Sequence, residues 1–314
     1  MTLCISYKCK SPYDDIPRAV CYADSRITIL GPIDKQTAVG GFLPSNAEIR
    51  HQTDSGIKIQ IVSAIRDDNE SSRDFVFSIA GSVSLGLQSL IHLDSVFKTF
   101  YENYSFEEYI DRIKITLHEF WKDAWDQEIQ YLMTATDDSG KIRIIYIRGS
   151  ESESDLVLEE VQEEKGLLLS VIGDNAEEAR EKIFSETNSL VSRGMEMNSA
   201  LDVACLRMMR RAVEDQNQIF IGGNIQSCYL KDKSAKYITL DDGCNLLFRG
   251  VKYSREYGDY PSKLNREKDL PSFLTSSINQ DIYDPRKSIQ EIMDQIINRL
   301  TRFTKSNNSN VEDS

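Results

Sequence analysis

The second residue of the chain is a threonine, behind the initiator Met1. An initiator methionine is generally removed when a small residue follows, so a mature chain would begin at Thr2. A threonine in first position joins a hydroxyl nucleophile to a free α-amine, and an amine with a pKa of about 7.7 to 8.0 is a usable base near neutral pH. That pair of groups suits acyl transfer to the side-chain oxygen. Other chemistries have less behind them. His51, His92 and His118 lie far apart, and the last two fall in predicted helices among apolar residues, where packing is the commoner role. Cys4, Cys9, Cys21, Cys205, Cys228 and Cys244 contain no C-x-x-C pair, which points to reduced, mostly buried thiols and to no metal site. No G-x-S-x-G elbow, P-loop or G-x-G-x-x-G occurs, so α/β-hydrolase, nucleoside-triphosphatase and Rossmann chemistry lack their signatures.

The bulk properties narrow the partners. A formal net charge of −13 over 314 residues disfavours nucleic acid, whose phosphates demand Lys and Arg. Arg207, Arg210 and Arg211 sit at helical spacing and read as a solvated helix face. No run approaches the roughly 18 apolar residues of a membrane span, and no signal-peptide layout opens the chain, so a cytoplasmic protein without a membrane partner is expected. Apolar residues at 40% and charged residues at 28% are the composition of a chain that folds.

The elements that must position Thr2 follow from periodicity. Two β-type runs, residues 3 to 7 and 19 to 23, flank a Pro- and Asp-containing turn and predict a hairpin at the head of the chain. A Gly- and Pro-punctuated insert covers 31 to 56, and strands are expected at 57 to 65 and 74 to 80. Apolar residues at helical spacing predict one helix over 84 to 101 and a second opened by the capping box Ser105 and Glu108. Strands are expected at 129 to 136, 142 to 147, 156 to 160 and 167 to 172, then helices over 176 to 191 and 198 to 214. Strands at 219 to 230, 237 to 240 and 246 to 248 close the series. Strands, two helices, strands, two helices, strands is the order of an α+β protein, a four-layer αββα sandwich. Residues 1 to 250 form that domain, 251 to 303 a C-terminal helical extension with one amphipathic helix over 285 to 303, and 304 to 314 a disordered tail.

The run Thr2-Leu3-Cys4-Ile5-Ser6-Tyr7-Lys8, a turn, and then Val20-Cys21-Tyr22-Ala23-Asp24-Ser25-Arg26 resembles the opening hairpin of proteasome β-type subunits. In those N-terminal-nucleophile hydrolases a first-position Thr leads one strand and the next ends in A-D-S/T-R. The Met-Thr-x-Cys opening is more similar to the bacterial proteasome-related Anbu proteins. Further segments resemble family motifs in the same order: Gly56-Ile57-Lys58-Ile59, Ser78-Ile79-Ala80-Gly81-Ser82 before a helix, Ile172-Gly173 with Ala179, and Ile221-Gly222-Gly223.

The resemblance implies a threonine-type peptidase or amidohydrolase acting on a peptide or amide without cofactor or metal. Thr2 would be the nucleophile and its amine the base, Asp24 and Lys58 would tune and orient it, and the Gly81 N–H would form the oxyanion hole. Ile79 and Ser82 would lie at the substrate, with an apolar pocket near Ile79. Members assemble into rings or helical stacks, so a homo-oligomer is implied. Three departures bear on activity. The interval from Asp24 to Lys58 is about twice the family's, which leaves Lys35 as an alternative to Lys58. Asp174 stands where catalytic members carry Ser, and Gln218 and Ile221 where they carry Asp and Ser, with Asp174 or Asp215 as candidate substitutes. These departures motivate an alternative from another class, a non-catalytic scaffold or ring subunit that keeps the fold; an acylase acting on small amides is a third.

Overall fold

Strand alternation decides which side chains meet. In β1 (Leu3–Lys10), Leu3, Ile5, Tyr7 and Cys9 point one way and Cys4 and Ser6 the other, and all six are buried. A strand buried on both faces needs cover on both. A computed structural model provides the coordinates. It describes residues 2–10, 17–31, 48–54, 56–64, 73–99, 104–122, 128–150, 155–215, 221–241, 245–249 and 251–254.

Two five-stranded antiparallel sheets organise the chain. One runs β10 (Leu169–Gly173), β1, β2 (Pro17–Ala23), β11 (Gln226–Lys231), β12 (Ser234–Tyr237). The other runs β5 (Ile59–Ala64), β6 (Arg73–Gly81), β7 (Ile129–Thr136), β8 (Ile142–Ser150), β9 (Asp155–Glu160). Smaller pieces are a ribbon of β3 (Ile27–Gly31) with β4 (Glu48–Thr53), and a three-stranded sheet of β13 (Thr239–Asp241), β14 (Asn245–Phe248) and β15 (Val251–Ser254). Four helices complete the described elements: α1 (Val83–Thr99), α2 (Phe106–Trp121), α3 (Ala176–Ser192) and α4 (Met197–Glu214). None of them is long and apolar enough to cross a membrane.

Three apolar cores follow. Leu3, Ile5, Tyr7 and Tyr22 pack with Ile183, Leu201, Cys205 and Met209 of α3 and α4. Phe75, Phe77 and Ile79 pack with Leu90, Leu93, Ile113 and Leu117 of α1 and α2. The third core joins the opposite faces of the two sheets, with Cys4, Cys21 and Cys228 against Val76, Ala80, Leu132 and Ile144. Each such side chain contributes about 1.5–3 kcal/mol through lost apolar surface. The α2 stripe Phe106, Tyr109, Ile113, Leu117, Trp121 repeats at three and four residues. Its capping box closes as the sequence predicts: Ser105 Oγ accepts from Glu108 N–H, and Glu108 Oε2 accepts from Ser105 N–H at 2.7 Å.

Some boundaries differ from expectation. The strand expected from residue 57 begins at Ile59, because the Lys58 N–H donates to Gln226 Oε1. The strand expected from residue 219 begins at Gln226, after Gly222 and Gly223; residues 219 and 220 lie outside the described residues. The Gly- and Pro-punctuated insert expected over 31 to 56 contains strand β4, which pairs with β3 at residues 27 to 31. The helix expected over 285 to 303 and the tail lie outside the described residues.

A carboxyl group is buried beneath the first sheet. Asp202, on the sheet-facing stripe of α4, is 5% exposed. Burial pushes its carboxyl up to about 7; Tyr7, Cys9 and the Arg18 guanidinium pull the other way. An unfolded aspartate titrates near about 3.9. Between about pH 4 and pH 7 the folded protein therefore holds a proton that the unfolded chain releases, and stability falls as pH rises across that window. Asp202→Asn removes this dependence. Urea unfolding from pH 4 to 8 should show the variant gaining on the parent by up to a few kcal/mol as pH rises to about 7, then levelling; parallel curves would refute the assignment.

Candidate active site

The ends of six strands meet at one edge. Leu3 pairs with Gly173 at the end of β10, Cys4 and Gln226 both pair with Ala23 at the end of β2, and β5 begins where β6 finishes. Across the sheets, Cys4 Sγ donates to Ile79 O at 3.5 Å. This edge collects Thr2, Asp24, Lys58 and Gly81.

Its centre is an ion pair with no exposure on either side chain. Lys58 Nζ donates to both Asp24 oxygens at 2.9 Å. Asp24 Oδ1 also accepts from Leu3 N–H at 3.0 Å, and Oδ2 from Arg26 N–H and Gly222 N–H, both at 3.2 Å. A carboxylate taken out of water needs its lone pairs satisfied, and three strand ends supply backbone donors for it. The Asp24 backbone N–H in turn donates to Leu3 O at 3.2 Å.

The residue missed in the sequence is Gln226, 1% exposed. Its Nε2 donates to Asp24 O at 3.1 Å and to Gly56 O at 2.7 Å, and its Oε1 accepts from Lys58 N–H at 3.0 Å. An outer set of contacts surrounds this knot. Arg26 forks onto Asp54 with Nε–Oδ1 at 2.8 Å and Nη2–Oδ2 at 3.2 Å, while Ser25 Oγ donates to Asp54 O and accepts from Asn224 N–H at 2.7 Å.

Thr2 is fully buried, and its Oγ1 has no hydrogen-bond partner among the described residues. Thr2 O accepts from Asp174 N–H at 2.7 Å. Gly173 makes that approach possible: its φ is +99°, and a Cβ there would lie 1.7 Å from Thr2 O. Gly81, with φ +84°, closes β6 in the same manner, where a Cβ would lie 2.0 Å from Glu128 O.

The register also orients the Gly81 amide. Ile79 N–H donates to Lys58 O at 2.9 Å toward β5, and Ser82 N–H donates to Glu128 O at 2.8 Å toward β7. Successive amides of a strand point to opposite sides, so the Gly81 N–H points as Ile79's does, past the first residue of β5. It meets no acceptor among the described residues.

Other expected positions fall differently. Ile79 has its side chain in the helix-facing core under Gly86, because Phe75, Phe77 and Ile79 share one face of β6. Ser82 is half-buried, and its carbonyl accepts from Gly86 N–H at 2.9 Å in the first turn of α1. Lys35 and Gln218 lie outside the described residues. Ile221 is buried and offers its carbonyl to Arg26 Nη1 at 3.4 Å, and Asp215 ends α4 with its N–H on Arg211 O. His92, expected among apolar residues, is exposed and lies against Phe120, with ring centroids 5.0 Å apart; His118 Nδ1 faces Asp155 Oδ1 at 3.5 Å. No group of three or more His, Cys, Asp or Glu that could hold a metal occurs among the described residues.

Titration reflects the dryness of the edge. Burial pushes the Cys4 thiol well up despite the nearby Lys58 ammonium. Burial also raises the half-buried Asp174 carboxyl; Lys58 pulls it down, and Asp24 and Glu128 push it further up.

No protein-family model matches the chain, and no curated protein matches it. Among solved structures it is similar to an Anbu (Gly-1) mutant from Hyphomicrobium sp. strain MC1, with 11% identity and a TM-score of 0.48 over 77% of this chain and 89% of that one. It is also similar to Anbu (ancestral beta-subunit) from Yersinia bercovieri, with 13% identity and a TM-score of 0.48 over 76% of this chain and 88% of that one.

The donor arrangement makes the two halves of the ion pair unequal. Lys58→Met leaves the Asp24 carboxylate with three backbone N–H donors, whereas Asp24→Leu leaves a buried ammonium and orphans the Leu3, Arg26 and Gly222 amides. Breaking a buried pair costs about 3–5 kcal/mol, and each orphaned buried donor about 1–3 kcal/mol. Urea unfolding should show the larger loss for Asp24→Leu; the reverse order would refute this account.

Proposed function

We propose that the chain is a proteasome-like threonine-type peptidase or amidohydrolase, a four-layer αββα sandwich whose nucleophile is Thr2 once Met1 has been removed. One observation carries the proposal: a buried threonine hydroxyl without a partner, a lysine held by a fully bonded aspartate and an unspent glycine N–H occupy the same edge. In the reaction the Thr2 Oγ–H proton passes to the α-amine as the Oγ–C bond forms, and the Gly81 N–H stabilises the oxyanion by about 3 kcal/mol. The ammonium returns that proton to the leaving nitrogen as the C–N bond breaks. Water then cleaves the ester, giving up one proton through the amine to Oγ. No metal or cofactor is invoked. A cytoplasmic homo-oligomer, ring or stack, accompanies the proposal, with residues 285 to 303 as a further contact.

Asp174 is the better substitute for the missing serine. Its N–H bond to Thr2 O holds the Asp174 backbone against Thr2 just past the last pair of the β1–β10 ladder. A carboxylate there would hold the α-ammonium and raise its pKa. Asp174→Asn should therefore move the acid limb of kcat/KM to lower pH by about one unit and reduce kcat; an unmoved limb would exclude this role.

A non-catalytic scaffold is favoured by the residues themselves: Asp174, Gln218 and Ile221 stand where catalytic members of the resembled family carry Ser, Asp and Ser. Intact mass and Thr2→Ala decide between the two. A hydrolase loses Met1, is labelled at Thr2 by a threonine-directed electrophile and loses all turnover in Thr2→Ala. A scaffold keeps its assembly, shows no labelling and is indifferent to the substitution, and retention of Met1 in the native protein would sink the catalytic proposal.

A further inference from the structure

The Asp24–Lys58 pair is made by side chains, but its geometry is set by two backbones from different sheets. Asp24 follows β2 in one sheet and Lys58 precedes β5 in the other. The Lys58 peptide is held on both sides, its N–H by Gln226 Oε1 and its carbonyl by Ile79 N–H. The Asp24 peptide is likewise held, its N–H by Leu3 O and its carbonyl by Gln226 Nε2. Gln226 is thus bonded to both peptides at once, and its other amide proton goes to Gly56 O two residues before Lys58. The amide has no freedom to flip, since both N–H groups meet carbonyls and the oxygen meets an N–H.

Gln226 itself is fixed. It opens β11 directly opposite Ala23, and it is 1% exposed, so it touches no solvent and would touch no substrate. A glutamine at this depth must use all its groups, and here it uses them on the two segments that carry the charges.

We propose that Gln226 is a positioning residue that sets the spacing of Asp24 and Lys58 and, resting on the hydrolase reading above, the placement of the Lys58 ammonium beside Thr2. Nothing else among the described residues bonds both peptides through one side chain. The chemistry of its neighbours predicts which replacements fail. Gln226→Met removes all three bonds. Gln226→Glu keeps the shape, but an ionised carboxylate faces two carbonyl oxygens, whereas the protonated acid offers one donor and one acceptor and restores two of the three. The introduced carboxyl, buried against carbonyls and near the Asp24 carboxylate and the Lys58 ammonium, titrates above the ordinary glutamate value of about 4.3.

The test has one arm that needs no turnover. A double-mutant cycle on Asp24→Asn and Lys58→Met, read by urea unfolding, gives the coupling of the pair in the parent and again in the Gln226→Met background. The expected result is a coupling reduced by about half or more, because a pair held off its geometry loses its interaction. An unchanged coupling means that Gln226 only adds stability, and it overturns the proposal whatever the protein hydrolyses. Should Gln226→Met not fold, Gln226→Glu compared at about pH 5 and pH 8 serves, with the coupling expected to weaken at the higher pH. The second arm uses a fluorogenic peptide amide: kcat should fall about tenfold or more in Gln226→Glu at pH 8, with KM unchanged and partial recovery toward pH 5. A parental kcat and pH profile overturns the proposal. A weakened coupling in a protein that hydrolyses nothing leaves the positioning role standing and removes the hydrolase reading.

Discussion

A carboxylate and an ammonium share a site from which water is absent, and most of what surrounds them is explained by that cost. Removing both charges from water carries a penalty of several kcal/mol per ion, offset only where geometry is close and remaining lone pairs are filled. Asp24 meets the condition by drawing N–H donors from Leu3, Arg26 and Gly222, at the start of β1, beyond the end of β2 and before β11. The strands of the first sheet therefore cannot end at arbitrary residues. Lys58 meets it by directing its ammonium to both Asp24 oxygens, while its backbone N–H, just ahead of β5, goes to Gln226.

Register transmits this constraint to the rest of the edge. Because β6 places Phe75, Phe77 and Ile79 toward α1 and α2, the chain reaches Gly81 with its amide turned toward Lys58 instead of β7. A slip of one residue would bury that N–H in the ladder and send Ile79 toward the other sheet. Gly81 and Gly173 then permit backbone approaches that any Cβ would block, to Glu128 O and Thr2 O. The helix-facing cores and the edge are parts of one registration problem.

Much of this was legible in the sequence where the signal is local. The β1–β2 hairpin showed in its flanking apolar runs, α2 in its capping box and stripe, and α4 in its apolar spacing, which predicted 198 to 214 against the observed Met197–Glu214. The β3–β4 ribbon was not, since Glu-Ile-Arg-His-Gln-Thr has no alternating apolar pattern. Gln226 was not either. Its partners Asp24 and Lys58 lie 202 and 168 residues away, and a glutamine inside the strand expected over 219 to 230 carries no local sign that its amide spans two sheets. Alternation also commits the Ile79 side chain, two residues before Gly81, to the face shared with Phe75 and Phe77.

Holding the edge together and moving protons in it are separate tasks. The cradle is backbone work: Asp174 contributes its N–H to Thr2 and Ile221 its carbonyl to Arg26, and neither contact depends on the side chain at that position. Those two side chains can therefore vary without loosening the frame. Their side chains change the charge balance instead. The half-buried Asp174 carboxyl stands beside a region where Lys58 is already committed to both oxygens of Asp24, and burial raises its pKa. Where Thr2 rests is decided by backbone: Gly173 lets Asp174 N–H reach Thr2 O, and Leu3 N–H ties the next residue to Asp24.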